Sequence, residues 1–434
     1  MNSNATISAA EAGVKPRPPV TVVDSIMGSG KSQWAIQHMR ARTDENFLYI
    51  TPFLDEVARF IKALGEPSDP NKCGFADRPR EFHQPMHKGE GKLASLNDLL
   101  KDTKDICSTH ELFKHFDEET KKTLVEKKYT LIIDEVTQPI EPFKFKPGDF
   151  QILKEAGCVT VDENHFVHWH EKPNIPNDIS FSELRNLATN KLLLNFDKTF
   201  LVWQYPPKIF RLFDRIVLLT FMFEASVMSH YFQLHGMAYE KKSVHMDKAN
   251  GRYELTDYIK PDTNEIAKLV NIYEGPMNSN FPKKNSKQKD NWLSSTWLGK
   301  TGNKGAVAQL KKNIDNYLRN TLKAHSDSIL WTSLEKVKCS LHGNRYLNQF
   351  ETWNCRATNK HSEKFNIAYV LNVYPQLATE KYFQQYNIKF NAEAYALSEM
   401  VQFLWRSRIR NGGSVNVYVP SNRMRWLLQR WLEK

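Results

Sequence analysis

The sequence predicts an α/β protein of two units, each a parallel sheet flanked by helices, with insertions. Three observations carry that expectation. Apolar, β-branched runs alternate with helical patterns through the first part of the chain. One of those runs, Val20 to Val23, opens a strand, glycine loop and helix that read VTVVDSIMGSGKSQ from Val20 to Gln33. A second set of apolar runs begins near Ser328, and 434 residues are enough for two domains.

Taken in order, residues 1–18 read as a flexible tail that runs into the proline-rich Lys15–Pro19. The first unit is expected over 19–236. Behind the loop, Trp34, Ala35, Ile36 and Met39 mark a helical stripe. Phe47–Thr51 is a second strand, followed by a helix through Val57, Phe60, Ile61 and Leu64. Residues 65–91, rich in Pro, Gly and charge, read as a surface insertion. Asp105–Thr109 and Tyr129–Ile133 are further strands.

Residues 138–195 thin into aromatics, Pro and charge and read as a second insertion. Cys158–His170 suggests a hairpin carrying His165, His168 and His170. A solvated strand face suits these histidines better than a metal site, because no matching second ligand pair stands out. Thr199–Trp203 and Ile216–Thr220 are strands, and the latter leads through Glu224-Ala225-Ser226 into a helix ending near Leu234.

A border is expected at Gly236–Met246, with a second unit over 237–434. It begins with a basic insertion, 273–312, where Lys283, Lys284, Lys287, Lys289, Lys300, Lys304, Lys311 and Lys312 are interleaved with Trp292 and Trp297. Lysines for phosphates and rings for bases suit a nucleic-acid groove, and a disordered, solvated loop suits Pro282–Asp290 equally well. A helix over Val307–Leu322 and strands at Ser328–Ser333, Phe365–Val373 and Ser414–Val419 follow, with a helix from Ala392 to Arg410 before the last strand.

Three stretches carry chemistry. Met27, Gly28, Ser29, Gly30, Lys31 and Ser32 form a phosphate-cradling loop. The glycines let backbone N–H groups approach phosphate oxygens, and the helix start adds a positive dipole end. Lys31 reaches the β/γ-phosphates and Ser32 offers a hydroxyl to Mg²⁺. Ser25 stands where the full pattern has Gly. The second stretch is Asp134-Glu135, two carboxylates at the C-terminal end of an apolar strand, where open α/β sheets bind ligands. Asp134 suits the Mg²⁺ and Glu135 suits a general base for the attacking water. The third is Gln402, Arg406 and Arg410, spaced four apart and so expected on one helix face, as an arginine finger requires.

Net charge is +11, which fits a polyanionic partner. The five cysteines are scattered without a C-x-x-C pair, as expected of reduced thiols in the cytoplasm. No apolar stretch approaches the length of a membrane span or a signal peptide core.

In this order the three stretches resemble the superfamily 2 helicases, and the finer pattern is similar to helicase-family proteins encoded by bacteriophages. MGSGKS (Met27–Ser32) sits as motif I, ITPFLDE (Ile50–Glu56) as motif Ia and LIIDEVT (Leu131–Thr137) as motif II. CSTHELF (Cys107–Phe113) resembles a DNA-contacting motif, LTFMFEAS (Leu219–Ser226) motif III, NCRATN (Asn354–Asn359) motif V and QFLWRSRIRNG (Gln402–Gly412) motif VI.

The resemblance implies two RecA-like P-loop domains that bind ATP and Mg²⁺ between them. The partner it implies is a nucleic acid, DNA favoured, single-stranded or forked, in phage replication or recombination within the host cytoplasm. Thr51, Thr109, Arg356 and Thr358 become candidate nucleic-acid contacts. Motif VI usually spaces its arginines three apart, so Arg406, Arg408 and Arg410 all remain candidates for the finger. A terminase-like packaging motor would carry a C-terminal nuclease with clustered acids, whereas this C-terminus is Arg-rich. A P-loop transferase acting on a small molecule would have no use for the late Gln/Arg helix.

Overall fold

The computed structural model describes residues 19–67, 78–87, 89, 91–171, 181–196, 200–278, 291–355 and 360–433. The first unit opens with β1 (Val20–Asp24), α1 (Lys31–Ala41), β2 (Asn46–Thr51) and α2 (Leu54–Gly65). There follow α3 (Lys92–Lys101), β3 (Ile106–Thr109), α4 (His110–Phe113), α5 (Glu118–Lys127) and β4 (Tyr129–Asp134).

A small subdomain then interrupts the chain. It comprises β5 (Ile140–Pro142), α6 (Pro147–Glu155), β6 (Val159–Val161), β7 (Val167–Trp169), α7 (Ser182–Thr189), β8 (Leu193–Phe196) and β9 (Phe200–Gln204). The first unit resumes with β10 (Arg215–Thr220), α8 (Val227–Leu234), β11 (Tyr239–Asp247) and β12 (Arg252–Asp257).

The first sheet has the order β12-β11-β1-β10-β4-β2-β3. All its pairings are parallel except β11 with β12. Alternation along the strands explains its two covered faces. Leu131 and Ile133 pack on the side of Leu100, Leu124 and Tyr231, while Ile132 packs on the side of Trp34, Ile36 and Phe60. The glycine-loop strand β1 is separated from the Asp134 strand β4 by β10, so the loop and the two carboxylates flank one strand end.

The border expected at Gly236–Met246 is corrected. β11 pairs in parallel with β1, and Val244 N–H donates to Ser25 Oγ at 2.9 Å. The hydroxyl that replaces the usual loop glycine thus ties β11 to the loop, and the first sheet continues to Asp257. The insertion at 138–195 also runs longer. β9, expected as a returning core strand, joins an antiparallel sheet β5-β9-β8, beside the β6–β7 hairpin. In that hairpin His168 Nε2 pairs with Asp162 at 2.8 Å. Among the described residues no group of three or more His, Cys, Asp or Glu is placed to hold a metal ion.

The second unit contains α9 (Thr263–Ala267), β13 (Val270–Ile272), α10 (Ser295–Leu298), α11 (Lys304–Asn316), β14 (Ile329–Thr332) and α12 (Lys338–Leu341). It closes with β15 (Asn366–Tyr369), α13 (Leu377–Gln385), α14 (Ala392–Leu404), β16 (Val415–Tyr418) and α15 (Asn422–Leu432). Its sheet is fully parallel, in the order β13-β16-β15-β14. One face is covered by Met400, Val401 and Phe403 of α14 with Met424 and Leu428 of α15, the other by Leu310 and Ile314 of α11.

The basic groove expected over 273–312 is corrected in its rings. Trp292 is 2% exposed, and the short helix α10 folds Trp297 against it with ring centroids 5.9 Å apart. Trp292 is buried and Trp297 half-buried against the cluster that includes Leu310 and Ile314 of α11, and burying apolar ring surface outweighs presenting it to solvent. Lys283, Lys284, Lys287 and Lys289 lie outside the described residues, as do residues 1–18 and part of 65–91. Helix α13 departs from its own unit: Tyr382 and Phe383 enter the first unit's core, and Tyr382 Oη donates to Gln204 Oε1 at 2.6 Å. No helix among the described residues is long and apolar enough to cross a membrane.

Candidate nucleotide site between the two units

The loop after β1 turns because Gly28 and Gly30 sit at φ +86° and +101°, where a side chain is strained. α1 starts at Lys31. The Lys31 ammonium folds back on the loop and donates to Ser25 O and, at 3.1 Å, to Ile26 O. Burial lowers its pKa to about 8, against the pull of Asp134 and Glu135, while Arg410 adds to the lowering. Ser29 Oγ is enclosed without a hydrogen-bond partner among the described residues.

Asp134 ends β4, 8% exposed, with Tyr49 Oη donating to its Oδ2 at 2.6 Å. Burial raises its pKa to about 6, partly offset by the Tyr49 bond and Lys31. Glu135 then breaks the strand at φ +58°, a left-handed conformation that costs a non-glycine residue roughly 1–2 kcal/mol. The break is held by Glu135 N–H donating to Leu219 O at 2.9 Å. It turns the carboxylate toward the second unit, where Arg406 Nη2 stands 3.6 Å from Oε1. His110 Nε2 lies 3.1 Å from the Asp134 carbonyl, and burial depresses the ring to about 4, so a neutral imidazole donates there.

The segment after β10 is fixed by Asp24 at the end of β1. Its carboxylate accepts from Met222 N–H at 2.8 Å and Phe223 N–H at 3.0 Å, and burial raises its pKa. Ser226 caps α8 through Ser229 N–H, and Glu224 pairs with Lys241 at 2.6 Å.

The helix expected from Ala392 to Arg410 is corrected: α14 stops at Leu404. Ser407 is extended and fully buried, and its hydroxyl donates to Leu404 O at 2.6 Å, satisfying a helix-end carbonyl. A 3₁₀ turn, Arg408–Asn411, follows and closes on Gly412 at φ +78°. The three arginines therefore do not share one helix face. Arg406 leaves α14's end toward Glu135 and is 3% exposed. Arg410 packs on the loop, such that a Cβ on Gly28 would stand 3.1 Å from Arg410 Cγ. Arg408 turns the other way, its guanidinium 4.0 Å over Phe365 and its Nε donating to Ser414 O at 2.7 Å. Arg406 and Arg410 are thereby the cleft-facing pair.

These groups line one cleft of about 310 Å³: Met27, Gly28, Gly30, Lys31 and Ser32, Asp134 and Glu135, and Gln402, Arg406 and Arg410. Residues not singled out from the sequence share it, among them Arg59, Tyr253, Tyr395, Ser398 and Glu399. Ser398 Oγ accepts from Gln402 Nε2 at 3.0 Å, a pairing readable from the i, i+4 spacing. Thr51 is not at a nucleic-acid surface: it is 0% exposed at the end of β2 with its hydroxyl enclosed. Thr109 ends β3, half-buried, outside the cleft lining. Arg356 and Thr358 lie outside the described residues.

The fold and cleft define a P-loop protein of two parallel α/β units with arginines supplied from the second. The chain belongs to the YonV family. It is 35% identical over 430 residues to the SPbeta prophage-derived protein YonV of Bacillus subtilis (strain 168), an alignment covering 95% of this chain and 98% of that protein. Residues 264–432 match the YonV C-terminal Rossmann-like domain and residues 140–203 the YonV middle domain. Among solved structures, S. tokodaii Xpd4 aligns with 95% of this chain and 94% of its own, at a TM-score of 0.46 and 10% identity.

Proposed function

We propose that this protein is an ATP-dependent nucleic-acid helicase or translocase, acting on DNA, that hydrolyses ATP in the cleft between its two units. One observation carries the reading: Lys31, Ser32, Asp134 and Glu135 of the first unit and Arg406 and Arg410 of the second line a single cleft. A nucleoside triphosphate with Mg²⁺ fits the donors present. Lys31 spends its ammonium on loop carbonyls, Ser29 Oγ is enclosed without a partner, and Arg406 Nε is buried with no hydrogen-bond acceptor among the described residues. Such donors are what three phosphate groups would satisfy.

Ser32 and Asp134 would hold a Mg²⁺ ion, which would supply positive charge to offset the charge that develops on the phosphates. Lys31 exchanges its loop carbonyls for phosphate oxygens. Glu135, turned out of strand register, takes a proton from the attacking water. Arg406 and Arg410 add positive charge to the same point while the units are together. Because these arginines sit on the second unit, separation of the units removes them, which would tie hydrolysis to domain motion. The net charge of +11 and the sequence's resemblance to helicases support a nucleic-acid track, and the prophage origin of the YonV relative supports a phage setting.

The deciding experiment is steady-state ATP hydrolysis with and without single-stranded DNA, duplex DNA and RNA, with Lys31→Ala as control. Strong stimulation by one polymer supports the motor reading and names its track. Hydrolysis indifferent to all three would sink it.

Two further results are expected. Tripolyphosphate affinity in EDTA falls as pH rises through about 8, because the folded chain holds Lys31 at about 8 and only the charged ammonium pairs with phosphate. Binding should accordingly take up protons above pH 8, and calorimetry in buffers of different ionisation enthalpy would detect it. Tyr49→Phe removes the hydroxyl that orients Asp134 and favours its charged form. The Mg²⁺ concentration for half-maximal hydrolysis should rise about tenfold; an unchanged Mg²⁺ titration would show that Asp134 is not the ligand.

A further inference from the structure

Tyr253 comes from β12, the antiparallel strand that closes the edge of the first sheet, and no step above uses it. Its ring lies directly on the phosphate loop. A Cβ built on Gly30 would stand 2.0 Å from Tyr253 Cε1 and 2.3 Å from Cδ1, so the ring occupies the space that only a glycine leaves open. The strand is pinned there by its own backbone, with Tyr253 N–H donating to Gln37 Oε1 on α1 at 2.9 Å. The ring is half-buried and lines the cleft together with Gln33 of α1. Two residues along the loop, the Arg410 stem packs on Gly28.

A nucleotide whose phosphates sit on the loop N–H groups must send its ribose and base past the loop's rim. The Tyr253 ring stands on that rim. Aromatic rings stack on any nucleobase, because every base presents a π-face.

We propose that Tyr253 is the stacking surface for the base of the nucleotide bound in the cleft. This rests on the nucleotide reading above and extends it. Stacking alone reads no hydrogen-bond pattern, so purine triphosphates should bind with similar affinity.

The test compares Tyr253→Phe and Tyr253→Leu in the full chain, measuring affinity for ATP and, separately, for inorganic tripolyphosphate. Tyr253→Phe should bind ATP as the parent does. Tyr253→Leu, which keeps apolar bulk beside Gly30 but loses the ring, should lose ATP affinity about tenfold or more and keep tripolyphosphate affinity. ATP affinity unchanged in Tyr253→Leu overturns the proposal while leaving the nucleotide site intact. A parallel loss of tripolyphosphate also overturns it, showing that the ring only props the loop. A parent chain that binds neither ligand would remove the nucleotide reading and this inference together.

Discussion

Glu135→Gln is expected to lower ATP hydrolysis about 10²–10⁴-fold while leaving ATP binding close to that of the parent chain. The substitution keeps the size of the side chain and removes only its capacity to accept a proton. The left-handed backbone at φ +58° and the Glu135 N–H bond to Leu219 O are main-chain features and should survive. The Arg406 contact at 3.6 Å loses its charge pairing, and because Arg406 is 3% exposed a thermal melt of the variant accompanies the kinetics. Single-turnover hydrolysis and an ATP-binding isotherm on the same sample separate the two effects. Hydrolysis at the parent rate would mean that another group activates water and would withdraw Glu135 from the site.

Arg406→Ala should have a comparable or larger effect, about 10³-fold or more in turnover, and Arg408→Ala should have almost none. The contrast is sharp because the two arginines are two residues apart and of one chemical type. Arg406 is 3% exposed, with its guanidinium facing Glu135 in the cleft. Arg408 stacks on Phe365 and holds Ser414 O outside it. Arg410→Ala should fall with Arg406→Ala, with a weaker grip on the loop as well, since its stem packs on Gly28. The measurement is turnover for all three variants at saturating ATP, with thermal melts to confirm folding. Full activity in Arg406→Ala, or loss confined to Arg408→Ala, would refute the placement of the second unit's arginines.

The arginines mark where periodicity stops specifying structure in this chain. The spacing of Gln402, Arg406 and Arg410 pointed to one helical face, and all three line the cleft, but the helix does not run that far. Ser407 stops it by turning its hydroxyl onto Leu404 O. Serine bonding back to a helix carbonyl is compatible with continuing or ending a helix, so the one-dimensional pattern does not choose. The packing of Ser407 at 0% exposure does. The tryptophans of the basic stretch show the converse: Lys and Trp in alternation describe a nucleic-acid groove and a solvated shell over packed indoles equally well. The stretch up to Met246 is ambiguous in one dimension, because a strand after a helix reads the same whether it closes one sheet or starts the next.

The sequence by itself determined the glycine loop after β1, the Asp134-Glu135 strand end and the existence of two mostly parallel sheets. Each of these is contiguous, and its residue types are demanded by local geometry: glycine where φ is positive, β-branched runs where both faces are covered. Only the tertiary structure decided what stands opposite them. Tyr49 meets Asp134 from 85 residues away, Val244 N–H meets Ser25 across 219, and Tyr253 covers Gly30 from a sheet edge. Those meetings depend on strand order and on where one helix stops, and neither leaves a periodic trace in the chain.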